Sequence, residues 1–375
     1  RPYKFDEYQV RPNGFLLDRY SIDALSPDYT LSCEAKSANQ LDQSYSCAGG
    51  QPGVFQYKAS WDQTQHFASH EARTGYAQTE AGVFRLPPAL RAAANIAATA
   101  NDTRKLIADQ WNTIQGVPLG LREDIAAVEF KSRLSPTLTL TAGADRKHKI
   151  GTRAIGASFG FGNVAELPEP LDHVTSDANL ALDYAQKDLQ LGFRYGYSDF
   201  RNAVGALVWE NPEVNADSYS ASNKKASIGR MSLTPENDAH TLGLSGGYSL
   251  PFWHARVSAN LGYSRWHAVN SMLPMTTNTA LKPGNAAGTV VPCDLSDRAS
   301  CGLEESVVSL MHVYTQEYRL SARPTHKFRG SLGYRSYILE NDNLDYTINS
   351  WTPYDGATVK ATSIEPEKAQ FRKDR

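Results

Sequence analysis

The sequence predicts an all-β protein, a large antiparallel up-and-down transmembrane β-barrel. The clearest evidence is the segment 189–197, where apolar residues such as Leu191 and Phe193 alternate with small or polar ones such as Gly192 and Arg194. Successive side chains of a strand point to opposite faces, so this segment has one apolar and one small or polar face. The same alternation recurs along the chain, and the connections between its segments alternate between short and long.

The spacing of these connections predicts two differently built ends of the sheet. Outer-membrane barrels have short periplasmic turns and longer extracellular loops. A soluble β-sandwich or β-helix, whose strands also alternate, remains an alternative. The predicted tight turns lie near residues 135, 186, 251 and 324, and the predicted long loops are 146–175, 201–238, 268–305 and 341–358.

The N-terminal third is less regular than the rest of the chain. A first strand is predicted over 14–22, a turn-rich segment over 33–52, and a second strand over 55–61. Residues 64–120 interrupt the β pattern and contain two short helical patterns, so they are predicted to form a long functional loop or lid. We therefore expect residues 1–375 to form a single, partial barrel domain with one insertion.

Composition excludes several classes of protein. The 375 residues carry a formal net charge of −2 and no long basic run, which excludes a nucleic-acid footprint. Mean hydropathy is −0.46. No apolar run approaches the ~18 residues of a spanning helix, which excludes a helical membrane protein. The 19 tyrosines and six tryptophans suit the aromatic girdles of a membrane barrel and other β-rich proteins alike.

The cysteines form two local pairs, each flanked by small or polar residues. No C-x-x-C or C-x-x-C-H motif is present, which argues against a zinc ribbon and against haem attachment to this chain. Two disulfides in an oxidising compartment are predicted, with free thiols as the alternative. The residues concerned are Cys33, Cys47, Cys293 and Cys301.

The second face of the alternating strands is dominated by glycine, serine and threonine, with occasional arginines. Small residues in strands allow close approach of a ligand or of another protein, or they only relieve curvature and crowding. We predict that this face lines a wide lumen. The lumen-facing candidates are Gln190, Gly192, Arg194, Gly196, Gly243, Ser245, Gly247, Arg256, Ser258, Asn260, Lys327 and Arg329.

No catalytic or metal-binding constellation is recognisable in the sequence, so the chain is not predicted to be an enzyme. There is no glycine-rich phosphate loop and no G-x-S-x-G motif. His66 and His70 are four residues apart but lack the H-E-x-x-H order, and we expect them to be solvated loop histidines.

Several stretches of the chain resemble the MtrB/PioB family of outer-membrane β-barrels, in the order in which the family has them. They are FDEYQVRPNGFLLD near the start, the region of HFASHEARTGY, 167–184 (LPEPLDHVTSDANLALDY), 195–202 (YGYSDFRN), 207–212 (LVWENP), 232–251 (SLTPENDAHTLGLSGGYSLP) and 276–281 (TTNTAL).

The resemblance implies a function in electron transfer across the bacterial outer membrane. The resemblance implies a very large barrel that surrounds a multihaem, decahaem-type c-type cytochrome in its lumen. In some systems of this family, a second multihaem cytochrome lies on the cell surface. By resemblance, this chain is a wall in contact with outer-membrane lipid, and the haem c belongs to its partner. An open diffusion porin for small solutes is the alternative, and a β-rich extracellular enzyme or adhesin is a third hypothesis.

The number of strands is lower than the resemblance implies. About ten to thirteen strands are recognisable, whereas family members have roughly two dozen, and an open sheet edge facing lipid is not viable. We therefore expect further strands, from additional chain or from a second copy, to complete the barrel.

Overall fold

The computed structural model describes residues 17–96, 100–109, 114, 116–159, 163–212, 214–219, 224–273, 306–343 and 371–374. Thirteen strands form one antiparallel sheet in the order β1-β2-β3-β4-β7-β8-β9-β10-β15-β16-β17-β18-β19. Their bounds are β1 Leu17–Leu25, β2 Thr30–Ala38, β3 Ser44–Gln51, β4 Phe55–Arg73, β7 Gly116–Ser135, β8 Leu138–Phe159, β9 Asn163–Ala185, β10 Leu189–Asn202, β15 Asn237–Ser249, β16 Arg256–Ser271, β17 Ser306–Thr325, β18 Phe328–Asn341 and β19 Phe371–Asp374.

The remaining elements lie in two long connections of this sheet. A four-stranded sheet has the order β14-β11-β6-β5, and a two-stranded sheet pairs β12 with β13. The bounds are β5 Ala77–Glu80, β6 Val83–Arg85, α1 Pro88–Ile96, α2 Ala100–Asp109, β11 Ala206–Glu210, β12 Ser218–Tyr219, β13 Lys224–Lys225 and β14 Ile228–Ser232.

The strands of the large sheet lie side by side in the order in which they occur along the chain, which is an up-and-down topology. Five strands have 19 to 23 residues, well beyond the ~9–11 that cross a bilayer. The sheet is open in the described part of the chain, with β1 and β19 at its edges. This arrangement confirms the predicted all-β, antiparallel fold and agrees with the expectation of an incomplete barrel.

The predicted long loop 146–175 is wrong, because most of it is strand. β8 and β9 stay in register without interruption from Leu138↔Tyr184 to Phe159↔Asn163. The segment contains Pro168 and Pro170, which cannot donate hydrogen bonds to a β ladder. β10 pairs with β9 only as far as His173, so the prolines lie where β9 has a neighbour on one side only.

Two other boundaries differ from the sequence prediction. The segment 33–52, predicted to be turn-rich, contains most of β2 and all of β3. Small polar residues give these strands a weak alternation, so pairing with neighbours rather than local pattern defines them. The insertion 64–120 is shorter than predicted, because β4 continues to Arg73 and β7 begins at Gly116. Its two predicted helices are α1 and α2.

Candidate functional site: the small-residue face of the sheet

The predicted lumen-facing residues of β10, β15 and β16 share one face of the sheet, which we call the inner face. Pairing places Gly192 opposite Ser245 and Ser245 opposite Asn260. The next row contains Gln190, Gly247 and Ser258. Arg194, Gly196, Gly243 and Arg256 follow the same alternation. Arg329 lies on this face of β18, whereas Lys327 lies in the preceding two-residue turn.

Glycines on the inner face make room for polar side chains of neighbouring strands. A Cβ at Gly192 would lie 2.5 Å from Ser245 Oγ, and one at Gly247 would lie 2.8 Å from Arg256 Nη2. Real Cβ atoms essentially never come so close, so a side chain at either position would require the serine hydroxyl or the guanidinium to move. These glycines therefore let adjacent side chains lie flat along the wall. This is a third explanation beside close approach of a partner and relief of curvature.

Several inner-face charges are neutralised within the wall. Arg194 Nη2 donates to Asp183 Oδ1 at 2.7 Å across the β9–β10 pair. Arg335 pairs with Glu317 at 3.2 Å across β17 and β18. Exposed pairs of this kind contribute about 0–1 kcal/mol to stability. Their main consequence is geometric, because they hold long side chains against the wall and keep the lumen surface smooth.

The opposite face, called the outer face, is apolar near the short turns and highly exposed. Leu244 is 53% and Leu332 73% exposed. A contiguous exposed apolar surface of this kind requires a nonaqueous neighbour. Its exposed members include Leu180, Leu191, Leu242, Leu244, Val257, Leu261, Leu320 and Leu332.

Toward the long-loop end, the outer face changes from apolar to aromatic and polar. The Tyr195 hydroxyl is hydrogen-bonded to His240 Nδ1 at 2.9 Å, and His267 Nδ1 lies 2.8 Å from Asp238 Oδ1. Amphipathic aromatic rings of this kind are typical of the membrane–water interface. The outer face therefore has the two zones of a membrane-embedded wall.

A small domain, which we call the cap, forms from the four-stranded sheet and α1. Glu210, on β11, is 6% exposed and accepts hydrogen bonds from Arg91 Nη1 at 2.7 Å, Arg85 Nη1 at 3.2 Å and the backbone N–H of Leu86 at 2.9 Å. Tyr76 donates its hydroxyl to the Glu210 backbone oxygen at 2.8 Å. These bonds join two loops that are 119 to 134 residues apart in sequence.

The cap packs on the inner face of the long-loop end of β8 and β9. The core contains Phe84 and Trp209 from the cap and Ala157, Ala165 and Leu167 from the hairpin. These hairpin residues have the same parity as Asp183, which lies opposite Gly192 on the inner face. The cap therefore lies on the lumen side of the wall, at the mouth formed by the long loops.

A model of the outer membrane beta-barrel porin family MtrB/PioB matches residues 18–374. The chain belongs to the MtrB/PioB family. It is thus a β-barrel porin of the bacterial outer membrane, which confirms the predicted family, fold class and location. The outer face accordingly contacts lipid, the short turns lie on the periplasmic side, and the cap lies on the extracellular side.

Similarity to other known proteins is weak. No curated protein matches the chain. The outer-membrane expressed OmpT of Vibrio cholerae is 8% identical, with a TM-score of 0.29 and coverage of 96% of this chain and 92% of that chain. The trimer form of in-vitro folded OmpT is 9% identical, with a TM-score of 0.29 and coverage of 96% and 93%. The family match, not these distant superpositions, establishes the fold class.

The cysteines lie away from the inner face or outside the described residues. Cys33 and Cys47 lie directly opposite each other on β2 and β3 and form a disulfide. Their parity places the bond on the outer face, beside Ala59. An apolar trench of about 910 Å³ crosses this part of the outer face, floored by alanines and bordered by Tyr20 and Trp61. The second predicted pair, Cys293 and Cys301, lies outside the described residues.

The histidines at 66 and 70 are not in a loop, contrary to expectation, because β4 extends through both. The His70 ring lies 4.5 Å from that of Phe67. Within the described residues, no three metal-binding side chains of His, Cys, Asp or Glu come together. Among all the residues that the structure describes, no helix is long and apolar enough to cross a membrane.

Sequence reasoning missed Glu210 and the cap as a unit. The signal was present in LVWENP, where Leu207 and Trp209 alternate with Val208 and Glu210 as in a strand. Leu207 and Trp209 are 0% and 2% exposed. The neighbours that bury them come from a separate loop and from the β8–β9 hairpin, so no local pattern reveals the contact.

Proposed function

We propose that this chain is the wall of an outer-membrane conduit that houses and insulates a multihaem c-type cytochrome and so supports extracellular electron transfer. The chain itself binds no haem and performs no catalysis in this proposal; the haem c belongs to the partner. A second multihaem cytochrome at the cell surface is a further candidate partner, on the side of the cap.

The observation that carries the proposal is the inner face. Its glycines, serines and threonines leave room for another protein to lie close to the wall, and its central arginine, Arg194, is held by Asp183. Diffusion porins instead line a constriction with projecting charges. A wall of small residues whose central arginine is paired suits an insulating sheath better than a selective pore.

Purification of the native protein in mild detergent, followed by a visible spectrum and a haem-stained gel, tests this proposal. We expect a haem absorption band that co-migrates with the barrel through size-exclusion chromatography. Preparations that contain no haem protein at any detergent concentration tried would refute the sheath.

An open diffusion porin is the second candidate, favoured by the family's description as a porin. Conductance in planar bilayers separates the two functions. A sheath should conduct little while its partner is bound and more after the partner is removed. A large, steady conductance of the native preparation would favour the open porin.

A further inference from the structure

Three arginines that form no ion pair with the residues the structure describes lie on the inner face at the short-turn end. Arg256, Arg319 and Arg329 lie on the consecutive strands β16, β17 and β18, and all three are exposed. Arg256 is paired with Ser321, two residues from Arg319, so these two arginines are diagonal neighbours on the same face. Diagonal neighbours across an antiparallel pair are ~7–8 Å apart.

The cluster differs from Arg194 and Arg335 in its lack of carboxylates. Arg194 and Arg335 have Asp183 and Glu317, whereas no residue of the cluster forms an ion pair anywhere in the described ranges. Arg256 donates instead to the neutral Gln190 Oε1, across the space that Gly247 leaves open. Arg256 and Arg319 are close enough to repel each other, and an anion bound between them relieves that repulsion.

The wall beside Arg256 is concave. A cavity of about 340 Å³ there is lined by Arg256, Gln190, Ser258 and Asn260, and by Asp183, the carboxylate that pairs with Arg194. Further along the same end of the wall, Lys131 and Arg133 line a second cavity of about 330 Å³. The side chains of Lys131 and Arg133 are exposed. Basic charge therefore recurs around the short-turn mouth of the lumen.

We propose that the cluster of Arg256, Arg319 and Arg329 is a docking point for an acidic surface of the protein that occupies the lumen. This inference rests on the proposed function, and it specifies the partner: carboxylates concentrated where it contacts the periplasmic mouth. Guanidinium groups bind carboxylates in bidentate fashion, and an exposed basic patch accelerates the encounter with an acidic protein.

The extent of the cluster favours a protein surface over a small anion. Arg319 is paired with Gly333, four residues from Arg329. The Cα atoms of these two arginines are therefore ~13 Å apart along the strand direction. A single small anion contacts groups within hydrogen-bond distance of it. An acidic protein surface offers several carboxylates at such spacings.

The test measures binding of a fluorescent polyglutamate peptide to the detergent-solubilised native barrel, stripped of any bound partner. The variant R256Q/R319Q/R329Q removes the cluster. R194Q/R335Q/K147Q is the matched control, since it removes the same charge from the same face at residues that already have carboxylate partners. Heat-modifiable migration in gels verifies that both variants fold.

We expect the association rate of polyglutamate at low salt to fall about tenfold or more in the cluster variant and much less in the control. The wild-type rate should also fall steeply as salt is added. Equal losses in both variants, or no polyglutamate binding to the wild type, would overturn the proposal. Inorganic phosphate that binds as tightly as polyglutamate would also overturn it in favour of a small-anion site.

This experiment and the haem assay fail independently. Polyglutamate binding that depends on the cluster would support the docking point even if no haem protein co-purified, and the identity proposed for the partner would then be wrong. A haem partner that is retained by the cluster variant with unchanged salt dependence would overturn the docking point and leave the sheath intact.

Discussion

At the scale of single residues, the glycines of this wall have different neighbours on its two faces. On the inner face, Gly192 and Gly247 adjoin the polar side chains of Ser245 and Arg256. On the outer face, a Cβ at Gly246 would lie 3.5 Å from Leu191 Cδ2, an ordinary apolar contact. The same residue type therefore keeps the lumen clear on one side and adjoins a lipid-facing leucine on the other.

A matched pair of substitutions separates lumen clearance from general strand effects. Gly196→Leu adds bulk to the inner face at a site where a Cβ meets only Thr241 Cβ at 3.8 Å. Gly246→Leu adds the same bulk to the outer face of the neighbouring strand. We expect Gly196→Leu to reduce the haem protein retained after purification and Gly246→Leu to leave it unchanged, with normal membrane insertion of both. If both variants retained the same amount of haem protein, Gly196 would serve only to relieve strand curvature.

At the scale of elements, the cap is stabilised by one buried carboxylate. Glu210 joins β6, α1 and β11 through its bonds to Arg85, Arg91 and Leu86. Loss of Glu210 leaves Arg85 and Arg91 without their carboxylate, and since these side chains are 43% and 24% exposed, the expected cost is below the about 3–5 kcal/mol of a fully buried network. The cap is small and therefore sensitive to a loss of this size.

Glu210→Ala should loosen the cap while the barrel stays folded. We expect faster limited proteolysis in the segments 74–115 and 203–236, with unchanged heat-modifiable migration of the barrel. Glu236→Ala is the control, because Glu236 is an exposed carboxylate that pairs with Arg201 at 3.0 Å and contributes about 0–1 kcal/mol. Similar cleavage rates for wild type and Glu210→Ala would show that other contacts hold the cap.

The cap should also loosen at alkaline pH. Burial raises the pKa of the Tyr76 phenol well above its usual value, and the nearby Glu210 carboxylate raises it further. Below about pH 10 the phenol is protonated in both folded and unfolded states and adds no pH dependence. Above that pH the unfolded cap releases the proton and the folded cap does not, so the free energy of unfolding falls as pH rises.

Proteolysis of the cap between neutral and alkaline pH measures this effect. The wild type should be cleaved increasingly fast above about pH 10. Tyr76→Phe should lose that part of the dependence, although it also loses the hydrogen bond to the Glu210 backbone oxygen. Parallel pH profiles for the two proteins would contradict a role for Tyr76.

At the scale of the whole molecule, the two faces of the sheet determine how it sits in the membrane. The outer face is apolar near the short turns and polar toward the long loops, while the inner face carries small residues and paired charges. The cap covers the inner face of the β8–β9 hairpin at the extracellular end, and the arginine cluster lies at the periplasmic end. The lumen therefore has two chemically distinct mouths.

Arginine substitutions at two adjacent positions of β16 test which face of the sheet contacts lipid. Leu261→Arg places a charge on the outer face and should reduce folding into liposomes by about 2–4 kcal/mol if the site is near the bilayer midplane. Asn260→Arg places the same charge on the inner face, opposite Glu317, and should be tolerated. Equal folding yields in a urea titration of the two variants would contradict the assignment of the faces.

The sequence predicted the strands with strong alternation better than the rest of the fold. The turns near 135, 186, 251 and 324 and the faces of β10, β15 and β16 agree with the structure. The sequence did not predict β2, β3 or the long-loop halves of β8 and β9. Their small, polar or proline-containing segments lack an apolar face. Such strands depend on pairing with their neighbours.

The sequence by itself determined which side chains share a face, because alternation with a period of two is a local property of every strand. It therefore determined the apolar outer face and the small-residue inner face. Only the tertiary structure decided which charges are neutralised and where the cap lies. Arg194 meets Asp183, and Glu210 meets Arg91, through register and packing between distant segments. Register is set by the whole sheet, so only the paired strands show which arginines at the periplasmic mouth lack an ion pair among the described residues.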